Sequence, residues 1–391
     1  MNTITHLKTK LKQVNIYFII IILISCRLPV TVFDDIESAI YYQSNILSPI
    51  SENIEDIKVM TWNIRYGAGR IPWFEDSCGD RVHMTETEVI SHLDSIINYI
   101  NSDNDTIDIL LLQEVDVSSK RSAYIDQVQY LLDNTHFNYA VFGSMWKADL
   151  IPVGGLGKVD VGVAILSRWE LRDAERIQLS LRQDQASYEQ YFYLRRCMLK
   201  TKINIPNWDN LYAVNIHAAS FSTDDTKQKH IFEYTSILNE IHNSNYSFIT
   251  GGDLNAIPNG AQKFDYCLED QCIQDSHIWH TNSSNDSINY HRKGSYYNNF
   301  QESINYPSER DLLTLLYDNS NYFPGIPYEN RNNENHFTYG AFNIDNINKS
   351  YHDRKLDYLF TNHSNWSSTG HTHQDAKLLS DHIPISATLQ K

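Results

Sequence analysis

The chain has 391 residues, 41% of them hydrophobic and 12% aromatic, and its 32 basic and 48 acidic side chains give a formal net charge of −16. With Gly at only 15 positions, this globular composition excludes collagen-like, coiled-coil and wholly disordered chains. The acidic balance disfavours nucleic-acid binding through a generally basic surface, while a local basic groove stays compatible with it.

The N-terminus has the pattern of an export signal. Lysines precede an uninterrupted apolar run over residues 16–24, which fits a signal peptide and is too short to span a bilayer. The run leads into Leu-Ile-Ser-Cys at residues 23–26, which resembles the cleavage site of bacterial lipoproteins. We therefore expect a signal peptide over residues 1–25, a lipid anchor on Cys26 and an exported protein held at the cell envelope or outer surface. In the alternative, an ordinary secretory signal, Cys26 is incidental.

The elements that follow predict one mixed domain. Residues 26–56 show no sustained periodicity and are predicted to be a tether. From residue 57 to residue 391, short runs rich in Val, Ile and Leu alternate with amphipathic stretches, which predicts strands interleaved with helices in an α/β or α+β fold. The candidate strands are residues 57–63, 107–113, 160–166, 211–217, 246–251, 356–361 and 383–389, and the candidate helices cover residues 89–100 and 231–241.

Two segments of this domain carry further predictions. Residues 280–350 are dense in Asn, Ser and Tyr, and we expect a long surface insertion with one short helix at residues 312–317. Cys267 and Cys272 are close enough in sequence for a small disulfide loop in an exported protein, but their spacing matches no zinc motif. The bridged and free forms both stay open.

Polar side chains with useful chemistry fall at the ends of the candidate strands. Strand ends are where a rigid scaffold presents catalytic groups, so we expect these side chains to form one site. They are Asn63, Arg65, Glu114, His217, Asp253, Asn255, Asp357, Asp381 and His382.

This set of side chains supplies what hydrolysis of a phosphate ester requires. Glu114, Asp381 and the amide of Asn63 offer oxygen ligands to a hard cation, which indicates Mg²⁺, with Mn²⁺ or Ca²⁺ as alternatives. Asp253 can orient or deprotonate a water molecule, and Asn255 can donate a hydrogen bond to a phosphate oxygen.

The two imidazoles complete the inventory. His217 and His382 can stabilise developing negative charge, and Asp357 can orient one of them. The sequence contains no nucleophilic Ser or Cys elbow, P-loop or H-E-x-x-H motif, so acyl transfer, P-loop chemistry and zincin proteolysis lack support.

At these residues the chain resembles the endonuclease/exonuclease/phosphatase superfamily, also called DNase I-like. The matching segments, in the family order, are Thr-Trp-Asn-Ile-Arg (61–65), Leu-Gln-Glu-Val-Asp (112–116), Gly-Val-Ala-Ile-Leu-Ser-Arg (162–168), Val-Asn-Ile-His (214–217), Gly-Gly-Asp-Leu-Asn (251–255), Leu-Asp-Tyr-Leu-Phe (356–360) and Ser-Asp-His-Ile-Pro (380–384). The resemblance implies a four-layer sandwich, in which two mixed sheets pack face to face between outer helices, with the active site at one sheet edge.

The resemblance also implies a role for each matched residue. Asn63 and Glu114 become metal-site residues, and Asp381 supports the metal or His382. The catalytic set is Asp253 for water activation, Asn255 and His217 for the phosphate, and His382 with Asp357 as its orienting partner; which His protonates the leaving group stays open. Arg196 falls where members often keep a phosphate-facing Arg, although a surface salt bridge is an equal alternative.

Departures from the family pattern bear on the substrate. Arg65 stands where some abasic-site nucleases carry an acid, and it can meet a phosphate instead. Ala256-Ile257-Pro258 follows the Gly-Asp-Leu-Asn motif where inositol polyphosphate phosphatases continue with Tyr-Arg. The first difference weakens an assignment to the abasic-site nucleases, and the second weakens an assignment to the inositol polyphosphate phosphatases.

The function expected from the sequence is divalent-metal-dependent phosphoester hydrolysis by water, without a covalent intermediate. A nuclease or phosphodiesterase acting on DNA or RNA outside the cytoplasm is the first expectation, and a sphingomyelin- or phospholipid-type phosphodiesterase or phosphatase is the alternative. The expected partners are this substrate and, through the anchor, a membrane, and no protein partner is implied. A non-catalytic surface binding protein on the same fold is the hypothesis from a different class.

Overall fold

The computed structural model describes most of the chain after the predicted signal peptide. The described residues are 29–51, 54–74, 79–102, 106–220, 222, 224–262, 311–340, 352–366 and 369–391. The predicted signal peptide, Cys26, the Cys267–Cys272 pair and much of the predicted insertion lie outside these ranges. Within them, no helix has both the length and the apolar character needed to cross a membrane.

The described residues form two mixed sheets of seven strands each. Sheet I has the order β13-β14-β3-β4-β6-β5-β2, and sheet II has the order β1-β7-β8-β9-β10-β12-β11. The strand bounds are β1 Ile36–Ser38, β2 Ile40–Gln43, β3 Asp56–Asn63, β4 Ile109–Asp116, β5 Tyr139–Ile151, β6 Gly157–Ser167, β7 Leu171–Gln178, β8 Cys197–Ile205, β9 Trp208–His217, β10 Ser247–Asp253, β11 Phe323–Pro324, β12 Asp357–Thr361, β13 His371–Thr372 and β14 Ile385–Gln390.

Each sheet is built around one parallel strand pair. β3 and β4 run parallel in sheet I, and β9 and β10 run parallel in sheet II, whereas the other pairings are antiparallel. Parallel strands end at the same edge of a sheet. The two pairs therefore each deliver two strand ends to one edge.

Helices cover the outer faces of both sheets. They are α1 Glu86–Ser102, α2 Gln127–Asn134, α3 Ser187–Phe192, α4 Thr226–Asn243 and α5 Thr314–Tyr317. Buried side chains of α1 and α2 pack with the outer face of sheet I, and those of α4 pack with the outer face of sheet II. A third buried cluster joins the inner faces of the two sheets.

The observed layers confirm the predicted four-layer sandwich. All seven predicted strands are present, because both faces of their sheets are covered and their sequences are accordingly apolar on both faces. The remaining seven strands were not predicted. β7, for example, has the sequence LRDAERIQ, in which charged residues conceal the alternation expected of a strand.

Part of the predicted insertion belongs to the sheet II side of the sandwich. Its short helix is present as α5, but Leu312, Leu313 and Leu316 are buried against the outer face of sheet II, and β11 pairs with β12 at the sheet edge. The prediction of a surface position is therefore wrong for these residues. The polar composition of the surrounding segment gave no indication that these leucines are buried.

The segment predicted to be a tether is also part of the fold. β1 pairs with β7 in sheet II, and β2 pairs with β5 in sheet I. Before them, the Asp149 N–H donates to the Pro29 carbonyl at 2.7 Å. We call residues 29–48 the N-terminal strap, because this one segment borders both sheets. Its strands of three and four residues are too short to show a periodic pattern in the sequence.

Candidate active site

The predicted polar side chains meet at one edge of the sandwich. β3 ends at Asn63 and β4 passes through Glu114 at the same edge of sheet I. In sheet II, His217 and Asp253 are opposite one another at the ends of parallel β9 and β10. Antiparallel β12 begins there, with Asp357 opposite Asp253.

Asp253 is the centre of this arrangement. Its side chain is buried, and its Oδ2 lies 3.2 Å from Asn63 Nδ2, 3.3 Å from His217 Nε2 and 3.7 Å from His382 Nε2. Burial opposes ionisation, but the charge of His382 and the hydrogen bond from His217 outweigh it and lower the pKa of Asp253. Asp253 is therefore a carboxylate at neutral pH.

His382 and Asp357 form a buried pair beside Asp253. His382 Nδ1 lies 2.8 Å from Asp357 Oδ2, which leaves Nε2 directed towards Asp253. Burial opposes the charged imidazole, but the carboxylates of Asp357 and Asp253 prevail and raise the pKa of His382 to about 10. Burial raises the pKa of Asp357 to about 6 against the opposing charge of His382.

His217 has the opposite electrostatic setting. Burial and the nearby charge of Arg196 lower its pKa, and the carboxylates of Asp253 and Glu114 only partly oppose this shift. The two imidazoles therefore differ at neutral pH: His382 carries a proton on each nitrogen and His217 is neutral. The difference follows from the Asp357 partner, which His382 alone of the two contacts in the described structure.

Glu114 is the accessible carboxylate of the site. Its side chain is 28% exposed, and Oε1 lies 3.2 Å from Asn63 Nδ2 and 3.8 Å from His217 Nε2. The backbone of Glu114 has a φ of 55°, a left-handed conformation that costs free energy in a residue other than glycine. Local strain thus accompanies the placement of this side chain at the site.

Two groups of side chains fit a metal ion. Asp253, Asp357 and His382 have ligand atoms within 4.8 Å of one another, but these atoms already contact each other. Glu114 offers the carboxylate oxygen that a hard divalent cation prefers, and it is open to solvent. The Asn63 amide nitrogen faces Glu114 and Asp253, while its Oδ1 accepts from the Arg65 N–H at 3.0 Å. The chemistry of the donors therefore favours Glu114, with Asn63 and Asp253 adjacent.

Asp381 and Arg65 support this site from the side. Arg65 Nε lies 3.3 Å from Asp381 Oδ2, and its guanidinium donates to the carbonyls of Gly69 and Ile71 at 3.1 and 3.0 Å. Burial opposes the charge of Asp381, but Arg65 and His382 lower its pKa. Arg65 is only 3% exposed, so protein groups occupy the guanidinium that was predicted to be able to meet a phosphate.

Asn255 and Arg196 lie on the sheet II side of the site. The Asn255 amide donates to the Ala218 carbonyl at 3.0 Å and to Asp253 Oδ2 at 3.3 Å, and its φ is 48°. Arg196 Nε and His217 Nδ1 are buried and have no hydrogen-bond partner within the described ranges. Within these ranges, Arg196 Nε is thus an available donor on the His217 side of the site.

Beneath the site, a polar bridge joins the two sheets. The Gln113 amide donates to Asn215 Oδ1 at 2.7 Å and to Thr61 Oγ1 at 3.0 Å. The Asn215 amide donates in turn to the Leu112 and Ala164 carbonyls at 2.8 and 2.9 Å. Because each donor is satisfied across the sheet interface, the bridge fixes the relative position of the strand ends.

Three residues of the site were not predicted. Thr338 Oγ1 accepts the N–H groups of Leu356 and Asp357 at 3.0 and 3.2 Å, and the Tyr339 ring lies 4.9 Å from the ring of His382. Lys355 is 3% exposed, and burial lowers its pKa to about 7. Only Lys355 had a sequence signal, since it lies two residues before Asp357.

The fold and the site define a class of protein. Two face-to-face mixed sheets, with carboxylates, amides and imidazoles gathered at one edge, form a DNase I-like sandwich. The chain belongs to the Endonuclease/Exonuclease/phosphatase family, whose model matches residues 60–382. Members of this family are typically phosphoesterases, and they generally use a divalent metal ion.

Several solved structures are similar in fold. They include an endonuclease/exonuclease/phosphatase from Beutenbergia cavernae (16% identity, 86% of this chain and 72% of that one, TM-score 0.47), TDP2 from Caenorhabditis elegans (16%, 86% and 74%, 0.45) and the 3′ phosphatase NExo from Neisseria bound to a product DNA hairpin (14%, 85% and 98%, 0.47). No curated protein matches the chain.

Proposed function

We propose that this protein is a divalent-metal-dependent phosphodiesterase that uses water as its nucleophile. The observation that carries the proposal is the setting of Asp253, an ionised carboxylate with an amide and two imidazoles directed at one of its oxygens. Such a carboxylate can orient and deprotonate a water molecule.

The metal is proposed to lie at Glu114 and Asn63. When bound, a divalent cation supplies positive charge to the phosphate oxygens in the transition state. Mg²⁺ is the first candidate because the donors are oxygens, and Mn²⁺ and Ca²⁺ are alternatives. The negative charge of Asp381 contributes to the raised pKa of His382, and Arg65 positions Asp381.

The two imidazoles are proposed to divide the work. His382, protonated and held by Asp357, can give its Nε2 proton to the leaving oxygen. His217, which is neutral, donates its Nε2 proton to Asp253, as the Asn255 amide also does, so both are proposed to orient this carboxylate. Arg196, whose charge lies near His217, is proposed to donate to a phosphate oxygen. The opposite pKa shifts of the two histidines support His382 as the proposed acid.

DNA or RNA outside the cytoplasm is the first substrate class to test. The free donor of Arg196 beside the site fits a bridging or terminal phosphate, while the net charge of −16 confines contacts with a polyanion to the site itself. A phospholipid headgroup is the second class, favoured by the exposed apolar side chains of Leu150 and Val153. The export signal and the Cys26 anchor are proposed on the sequence pattern at residues 23–26.

The test is a hydrolysis panel with the full chain and with Asp253→Asn. The substrates are single-stranded DNA, duplex DNA, RNA, sphingomyelin, inositol phosphates and bis-nitrophenyl phosphate, each with Mg²⁺ and with EDTA. We expect turnover of one class that both EDTA and the substitution abolish. Turnover that survives Asp253→Asn contradicts the mechanism, and a folded protein inactive on the whole panel with Mg²⁺ and Mn²⁺ supports the binding-protein alternative.

A further inference from the structure

The hairpin of β5 and β6 projects beyond the edge that carries the site. Val161 of β6 is opposite Asp116 at the end of β4, and the hairpin continues to the pair Ile151 and Gly157. At roughly 3.3 Å per residue, this extension is on the order of 13 Å. The tip therefore lies beyond the end of β4, at the same edge of sheet I as Glu114.

The tip presents large apolar side chains to solvent. Leu150 is 57% exposed and Val153 is 65% exposed, and Tyr188 on the adjacent α3 is 70% exposed. Trp146 Nε1 donates to the Phe192 carbonyl at 2.9 Å, which fixes α3 to the hairpin. We call Leu150, Val153 and Tyr188 the tip patch.

The tip patch stands on a packed base. Under it, the side chains of the hairpin and of the N-terminal strap form a buried cluster. The members of this cluster are Val30, Ala148, Ile151, Leu156 and Val159, with Phe74, Val82, Trp146, Tyr191 and Phe192 packed against them. The exposure of the tip patch is therefore not a result of a loosely held loop.

The N-terminal chain reaches the body at this same hairpin. Pro29 accepts from the Asp149 N–H at 2.7 Å, and the Thr31 N–H donates to the Lys147 carbonyl at 2.8 Å. Cys26 is three residues before Pro29, so the chain between them reaches at most about 10 Å. An acyl group on Cys26 consequently holds the tip patch, and not another face, at the bilayer.

We propose that the tip patch is a membrane-contact surface that inserts Leu150, Val153 and Tyr188 among lipid headgroups and turns the site towards the bilayer. The proposal rests on the phosphodiesterase function and on the Cys26 anchor. Of the two substrate classes proposed above, such a surface favours the second, a phosphodiester of a lipid headgroup, over nucleic acid. Lys120, which donates to the Gly155 carbonyl, and Lys158 lie beside the tip and suit anionic lipid, whereas Lys147 is paired with Asp160 at 3.3 Å.

The molecule contains a matched control for this surface. Ile46 and Leu47 are 83% and 48% exposed, so they rival the tip patch in apolar exposure. They lie beside Ser48, whose N–H donates to Asn138 at the start of β5. Asp149 is eleven positions after Asn138 along β5, which places this pair on the order of 36 Å from the anchor point.

The first experiment measures hydrolysis by the full chain, produced with its lipid anchor, on two substrates. One is phosphatidylglycerol in vesicles with phosphatidylcholine, and the other is soluble bis-nitrophenyl phosphate. We expect Leu150→Ser with Val153→Ser to lower vesicle turnover about tenfold or more and to leave the soluble ester unchanged. Ile46→Ser with Leu47→Ser is expected to change neither rate. Equal losses for the two pairs, or a parallel loss on the soluble ester, would overturn the proposal.

A second measurement does not depend on catalysis. Leu150→Trp and Ile46→Trp are compared with the unsubstituted chain for fluorescence quenching by brominated phosphatidylcholine in the same vesicles. Extra quenching at position 150 alone supports the membrane contact, and equal quenching at both positions overturns it. If the wild type turns over neither substrate, the phosphodiesterase function fails while this comparison still decides whether the tip patch meets lipid.

Discussion

The inner faces of the two sheets change character from one end of the strands to the other. On β3 the inward residues run Ile57, Val59, Thr61 and Asn63, so the apolar contacts give way first to a hydroxyl and then to an amide. The same order recurs on β4 (Ile109, Leu111, Gln113), β9 (Leu211, Ala213, Asn215, His217), β10 (Ile249, Gly251, Asp253) and, read backwards, β12 (Leu359, Asp357).

This difference shows how one set of strands provides both stability and chemistry. Side chains two positions apart share a sheet face, so each strand carries its apolar anchor and its functional group in one line. The apolar end excludes water and supplies the folding free energy. The polar end holds buried charges, which are favourable only because they are paired with one another.

The largest effect is expected at the polar end. Asp253→Asn removes the carboxylate while keeping its shape, and we expect turnover to fall by about a thousandfold or more. The thermal unfolding midpoint should stay nearly constant, because the amide still reaches Asn63 and His217. A drop in the midpoint comparable to that of a core substitution would show that Asp253 holds the sheets together, and the contrast between the two ends would fail.

The converse change is Leu111→Ala at the apolar end. Leu111 is fully buried between the sheets, so its truncation is expected to lower the free energy of unfolding by about 2–5 kcal/mol. Activity per folded molecule should remain close to that of the wild type. Urea unfolding gives the first quantity, and turnover corrected for the folded fraction gives the second; a large loss of corrected turnover would indicate that the two ends are coupled.

A smaller effect is expected for Asp357→Asn, with a characteristic pH dependence. The substitution removes a carboxylate that raises the pKa of His382, so less of His382 is protonated at alkaline pH. We expect turnover to fall by about a hundredfold, and the alkaline limb of the pH–rate profile to move to lower pH. Profiles of the two proteins on one soluble ester test this prediction, and a loss of rate at constant profile would count against His382 as the acid.

The smallest effect concerns stability and His230, which supports the polar end from α4. Its Nδ1 accepts from the Ala219 N–H at 3.1 Å and its Nε2 lies 2.7 Å from the Ser180 carbonyl. Burial lowers the pKa of His230 from 6.5 to about 4. Between these values the unfolded chain binds a proton that the folded protein does not, so stability falls as pH falls.

At pH 5 this difference amounts to about 2 kcal/mol relative to neutral pH. His230→Gln is expected to be less stable than the wild type at neutral pH and to lose less stability on acidification. Denaturant unfolding of both proteins at neutral pH and at pH 5 measures how much unfolding free energy each loses on acidification. An equal loss in the two proteins would show that groups other than His230 cause the acid sensitivity.

Much of the fold and most of the site were predictable because both depend on local patterns. β4 begins with four apolar residues and continues into Gln113 and Glu114, and this transition identifies a strand and its functional end together. Parallel pairing then brings such ends to one edge. Asp253 was predicted as a site residue because it follows the apolar run of β10, whereas its central position is visible only in the structure.

The parts of the site that were not predicted depend on contacts between residues that are far apart in the sequence. Thr338 and Tyr339 reach Asp357 and His382 from a segment with no periodic pattern, so nothing near them in the sequence indicates the contact. Arg65 is of a residue type that commonly binds phosphate. In the structure its guanidinium is buried against two carbonyls, and its backbone turns with a φ of 49°. Burial of this kind is a tertiary property.

The N-terminal strap has a consequence for truncation and proteolysis of the protein. Because β1 and β2 border sheet II and sheet I respectively, a chain shortened to begin at residue 57 would expose the backbone of β7 and much of β5. Uncovered strand edges are templates for pairing with other chains. Proteolytic loss of the strap should therefore convert a monodisperse protein into one that aggregates edge to edge, even while its catalytic residues remain intact.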